Sequence, residues 1–158
     1  MPALATVLAV ALAASILLLG AALAHAFELP NKIGLDRDAY FLVQQIYRGW
    51  DGFAAILAVQ VAALATAAGL ARRDASILRP LLLTLLCVGS AQALFWTFTF
   101  PANVATANWT VAPADWQRLR LAWEYSHLAG ALLQLSGLLA LVLAIAQAAR
   151  RDARGPRR

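Results

Sequence analysis

One cysteine and few charges set the first limits on this 158-residue chain. Cys87 alone supports neither an intrachain disulfide nor a thiolate metal cluster, and it reads as a small packing residue inside an apolar run. Charged residues make up 13% of the sequence, about half the quarter typical of a soluble domain. Water is not its main solvent. Also missing are a Gly-rich phosphate loop, a cysteine pair and a Gly-x-Ser-x-Gly elbow, so nucleotide use and serine hydrolysis have no support. No internal repeat or low-complexity linker divides the chain, and 1–158 reads as a single domain.

What is present is apolar length. Residues of hydrophobic type make up 62% of the chain, and four stretches carry no Asp, Glu, Lys or Arg: Ala3–Phe27, Phe53–Ala71, Pro80–Phe100 and Leu128–Ala149. Each meets the roughly 20 residues needed to cross a bilayer. The first has small-residue sites that resemble signal cleavage, at Ala22-Leu23-Ala24 and Ala24-His25-Ala26. No basic residue precedes it, however, and it outruns the roughly 7–15 residues of a signal core, so it is expected to be retained as a span. Lipid leaves no water for unpaired backbone groups. The expected fold class is therefore all-α, an integral membrane four-helix bundle.

Arginine placement gives the expected orientation, since basic flanks stay in the cytoplasm. Arg72, Arg73 and Arg79 crowd one link, and Arg150, Arg151, Arg154, Arg157 and Arg158 crowd the tail at 150–158, against only Asp74 and Asp152. The other two links, Glu28–Gly52 and Pro101–His127, balance their charges. Both termini are thus expected in the cytoplasm and the balanced links in the periplasm of a bacterial inner membrane. Membrane lipids account for the basic rim, and no nucleic-acid partner is implied.

The outer links have structure of their own. Asp36 is placed to cap a helix over about 37–48, whose Tyr40, Val43, Tyr47 and Trp50 share a face suited to the membrane interface. Such a helix would roof the bundle. Pro101-Ala102-Asn103 is expected to end the third span. Pro113 is expected to open a helix from about Ala114 to Ala149, some 54 Å long at about 1.5 Å per residue.

Candidate chemistry gathers at this outer level. His25 and Glu28 close the first span, and Glu124 and His127 open the fourth. Each His–Glu pair is three residues apart, on one helical face. The chain has two histidines and two glutamates, and all four fall into these motifs. Glu-x-x-His facing into a bundle is a recurrent di-metal arrangement, whose remaining ligands would come from Asp36, Asp51 and Asp115. A transition metal, a proton relay, a hydrogen-bonded clamp involving Arg120, and bis-histidine haem all stay open, with carboxylates one turn from each histidine weighing against haem. Deeper lie Gln60, Gln92 and Gln134, either interhelical hydrogen-bonding groups or the polar floor of a pocket. Trp96, Phe98, Phe100, Trp109, Trp116 and Trp123 surround this space, as interface anchors or as walls for a flat apolar ligand. Asn108-Trp109-Thr110 matches a glycosylation acceptor, to which no function is assigned.

The stretches Ala24-His25-Ala26-Phe27-Glu28-Leu29-Pro30-Asn31-Lys32, Pro101-Ala102-Asn103 and Trp123-Glu124-Tyr125-Ser126-His127 resemble bacterial members of the anthrone oxygenase-like family of small four-helix membrane proteins. The resemblance covers nearly the whole chain in span order and loop placement. It implies that His25, Glu28, Asn103, Trp123, Glu124 and His127 form an outer-face polar cluster. A membrane oxidoreductase or oxygenase-like role on an apolar aromatic or quinone-like molecule is the expectation. The alternative is a non-catalytic accessory subunit docked in a larger membrane complex.

Overall fold

A computed structural model describes residues 2–153; Met1 and, of the tail, Arg154, Arg157 and Arg158 lie outside the described residues. Among the described residues the chain is helical, with no strand. The elements are α1 (Pro2–Lys32), α2 (Arg37–Gln44), α3 (Phe53–Leu70), α4 (Ala75–Leu94), α5 (Phe100–Ala105) and α6 (Trp116–Ala153). Four stretches are long and apolar enough to cross a membrane: Pro2–Lys32, Trp50–Leu70, Ala75–Ala105 and Trp116–Ala153.

Each span is longer than its uncharged run, for identifiable reasons. α1 continues past Phe27 to Lys32 because Glu28 and Lys32 are one helical turn apart and pair, with Nζ 3.7 Å from Oε2. α4 begins at Ala75, five residues before Pro80, because Asp74 caps it: its carboxylate accepts from the Ser76 amide at 3.1 Å and from the Ser76 hydroxyl at 2.6 Å. The short link from Leu70 to Ala75 makes α3 and α4 an antiparallel pair.

Pro101 does not end the third span, as the sequence suggested it would. The helix widens into a π turn at Phe95–Thr99, where the Phe100 amide bonds the Phe95 carbonyl, and continues as α5 to Ala105. A proline ring clashes with the carbonyl four residues before it, and a π turn re-aims that carbonyl. The fourth helix starts at Trp116 rather than Ala114. Its 38 residues span about 57 Å at 1.5 Å per residue.

Two cores stabilise the packing. Near the α3–α4 turn, Leu4, Leu8 and Ala11 meet Leu64, Ala67, Leu81 and Leu141 in an aliphatic core. At the opposite end Tyr40, Ala102, Trp109, Leu119 and Trp123 form a second, mainly aromatic one. Helix α6 packs on both α4 and α1, and α1 also packs on α3. Gly137 sets the α4–α6 spacing, because a Cβ there would sit 3.2 Å from Cys87 Cβ. Cys87 is buried in this seam.

Asp36 caps α2 as expected, accepting from the Ala39 amide at 2.9 Å. The helix stops at Gln44, however, and tightens into a 3-10 turn over Gln45–Tyr47 before Gly49, at φ 87°, redirects the chain toward α3. Its aromatic face turns inward: Tyr40 is fully buried, while Leu42 and Ile46 are exposed.

Candidate functional site

The roof, the C-terminal end of α1 and the N-terminal end of α6 enclose a single polar cluster. Along α1, His25, Glu28 and Lys32 fall on one face because they are three and four residues apart. From α6 come Trp123, Glu124 and His127, and from the roof Tyr40, Gln44, Tyr47 and Trp50. The four residues singled out from sequence, His25, Glu28, Glu124 and His127, are all here.

At the centre stands the only lysine in the chain. Lys32 Nζ lies 3.2 Å from Glu124 Oε1 and donates to the Tyr47 hydroxyl at 2.5 Å. Tyr47 donates to Glu28 Oε2. On the other side the Tyr40 hydroxyl donates to Glu124 Oε1 at 2.9 Å and accepts from the Gln44 amide. The result is one continuous chain, Glu28–Tyr47–Lys32–Glu124–Tyr40–Gln44, running from a partly exposed carboxylate into the fully buried Glu124. Burial and the adjoining carboxylates, Glu124 for Tyr40 and Glu28 for Tyr47, push both phenols well above their usual range. Both therefore stay protonated and donate.

Aromatic rings line one flank of this chain. His25 and His127 lie with ring centroids 4.2 Å apart, and Trp123 is 4.0 Å from His127. Tyr47 and Trp50 close on His25 at 4.4 and 5.2 Å. The ammonium of Lys32 also sits over the Tyr47 and Trp123 rings, at 4.5 and 4.8 Å, where a desolvated cation gains from the ring quadrupole. His127 Nδ1 lies 2.8 Å from the Trp123 carbonyl. A carbonyl only accepts, so Nδ1 is the donor in this contact. His25 Nδ1 and Glu124 Oε2 are buried with no hydrogen-bond partner among the described residues.

Asn103 positions the aromatic wall. Its Oδ1 accepts from both indoles, Trp109 at 3.1 Å and Trp123 at 2.9 Å. Trp109 is delivered by a tight turn in which Ala107, Asn108 and Trp109 have φ of 46°, 55° and 63°.

Other expected members lie elsewhere. Trp96 is 60% exposed and stacks on Phe100 rather than on the cluster. Gln60 is buried but donates to Ser15 Oγ at 2.9 Å. Gln92 and Gln134 sit on α4 and α6, and among the described residues no hydrogen bond joins the three glutamines into a floor. Asp36 is spent on its cap, Asp51 is exposed, and Asp115 pairs with Arg118 at 2.5 Å. Arg120 reaches the Leu35 carbonyl at 2.7 Å instead of Glu124. Among the described residues no group of three or more His, Cys, Asp or Glu side chains is placed to hold a metal ion.

Lys32, Tyr40 and Tyr47 are the residues that sequence reasoning missed. The signal was available, because Lys32 is four residues from Glu28 and seven from His25, on the same helical face. Reading Lys32 as part of a loop hid that spacing. Comparison with protein families, with curated proteins and with solved structures finds no match for this chain.

Proposed function

We propose that the chain is a four-helix bundle in a bacterial inner membrane, with both termini cytoplasmic, and that its periplasmic end handles protons for an apolar, aromatic or quinone-like molecule in an oxidoreductase or oxygenase-like reaction. One observation carries this reading: the ammonium of Lys32 buried between Glu124 and Glu28–Tyr47, beside two facing imidazoles. Ionisable groups at membrane level are costly and mark function by default. Here each carboxylate lies within hydrogen-bond reach of groups that can give it a proton, Glu28 of Tyr47 and Glu124 of both Lys32 and Tyr40, the geometry that proton transfer needs. The half-buried rings of Trp50 and His127, backed by the buried Trp123 and His25, leave flat surface on which an aromatic molecule stacks. Of the roles open to the cluster, proton transfer is favoured over metal binding, because Lys32 already supplies the positive charge between the two carboxylates.

The second reading is a non-catalytic accessory subunit whose cluster is a clamp. It is favoured by the way Lys32, Glu28, Glu124, Tyr40 and Tyr47 bond one another and tie α1, the roof and α6 together. Titrating purified protein with a naphthoquinone and its hydroquinone, followed by tryptophan fluorescence, separates the two. Saturable quenching that His127→Ala weakens at least tenfold supports the first. Wild-type protein with no saturable response, in which the same change only lowers the melting temperature, leaves the clamp.

A further inference from the structure

The opposite end of the molecule carries a built cleft that the proposed reaction does not use. It lies between the α3–α4 turn and the end of α6, has a volume of about 290 Å³, and is lined by Gly69, Leu70, Arg72, Arg73, Asp74 and Arg151. That volume is at the small end of ligand sites and suits a headgroup rather than a large organic ligand.

We propose that this cleft binds the phosphate of one anionic phospholipid. Three arginines face one aspartate in the lining. Asp74 is itself committed: its carboxylate accepts from the Ser76 amide and hydroxyl and pairs with Arg151 Nη1 at 2.9 Å. This bond holds Arg151 across the turn and uses up the only negative charge in the lining. Arg72 and Arg73 are exposed, with no acidic partner among the described residues. Guanidinium groups match phosphate oxygens with paired, charge-assisted hydrogen bonds. Gly69, exposed in the lining, puts no side chain into the cleft, with nothing within 4 Å of where a Cβ would stand. Leu70, 44% exposed, offers apolar surface beside the arginines. A lipid places phosphate and acyl chain in that same relation, which favours it over free phosphate. The inference rests on the reading of the helices as membrane spans, but not on their orientation or on the outer cluster.

The test is native mass spectrometry of the full chain in neutral detergent, titrated with a short-chain phosphatidylglycerol. One equivalent should bind per chain, and phosphatidylcholine should not replace it. Arg72→Gln with Arg73→Gln should weaken binding at least tenfold. Gly69→Leu should do the same at unchanged charge, by adding bulk to the lining beside the arginines. Arg79→Gln with Arg150→Gln, on the same rim outside the cleft lining, should stay within twofold of wild type. If Gly69→Leu binds normally, or the rim pair loses as much as the cleft pair, the attraction is diffuse and the site is wrong. Competition by inorganic phosphate at equal concentration would overturn the lipid assignment.

Discussion

Lys32 and Glu124 meet 3.2 Å apart with side chains 4% and 0% exposed, joining the end of α1 to the start of α6. Neither charge has water to return to. A buried pair is only weakly stabilising as a whole, but removing one partner strands the other and costs about 3–5 kcal/mol.

Lys32→Met should therefore lower the melting temperature of the purified protein sharply, because Glu124 would keep only the Tyr40 hydroxyl. Adding Glu124→Gln should recover most of the loss, since a neutral amide still accepts from Tyr40. An unchanged melt for Lys32→Met would mean that the pair is solvated and the cluster is not a buried network.

The turn that delivers Trp109 is strained, with three successive non-glycine residues at positive φ. Each left-handed L-residue costs roughly 1–2 kcal/mol, less for asparagine. Trp109 holds the turn in place through its burial, its amide bond to Thr106 Oγ1 at 3.0 Å and its carbonyl, which accepts from Gln45 at 2.9 Å. At position 107, glycine relieves the strain but adds about 0.5–1 kcal/mol of unfolded-state entropy, and a β-branched residue worsens the strain. Melting temperatures should rank Ala107→Gly at or above wild type, with Ala107→Val clearly below. The reverse ranking would show that the turn is not left-handed in solution.

Legibility from sequence followed the physics of each signal. Apolar length announced four helices of spanning length, and the Asp36 cap, a local side-chain to backbone bond, was readable from one residue. Helix ends were not, because they depend partly on tertiary partners: besides pairing with each other, Glu28 and Lys32 at the end of α1 are met by Tyr47 and Glu124. The π turn that carries the chain through Pro101 has no period of its own in the sequence. The His–Glu spacing put His25 and Glu28 on one face of α1 and Glu124 and His127 on one face of α6, and the fold brings the two faces together. What lies between those side chains was set by a roof whose aromatic face turns inward, and the amphipathic pattern alone does not say whether such a face meets lipid or protein.

Orientation is the remaining expectation with a direct test. If the arginines mark the cytoplasmic side, the α3–α4 turn and the end of α6 share it and the α2 roof lies outside. Asp38, whose side chain is 83% exposed on the roof, and Arg73, exposed in the turn, are sites where a cysteine disturbs no packing. In a Cys87→Ala background, an impermeant thiol reagent should label Asp38→Cys in intact cells. It should reach Arg73→Cys only after the membrane is opened. In the parent protein, which keeps Cys87, that thiol should stay unlabelled in both conditions, because it is buried where α4 meets Gly137 of α6. A reporter fused after Arg158 should read cytoplasm. Labelling of Arg73→Cys in intact cells would invert the topology and move the Lys32–Glu124 cluster to the cytoplasmic face. Its internal geometry would stand, but a periplasmic substrate would be ruled out.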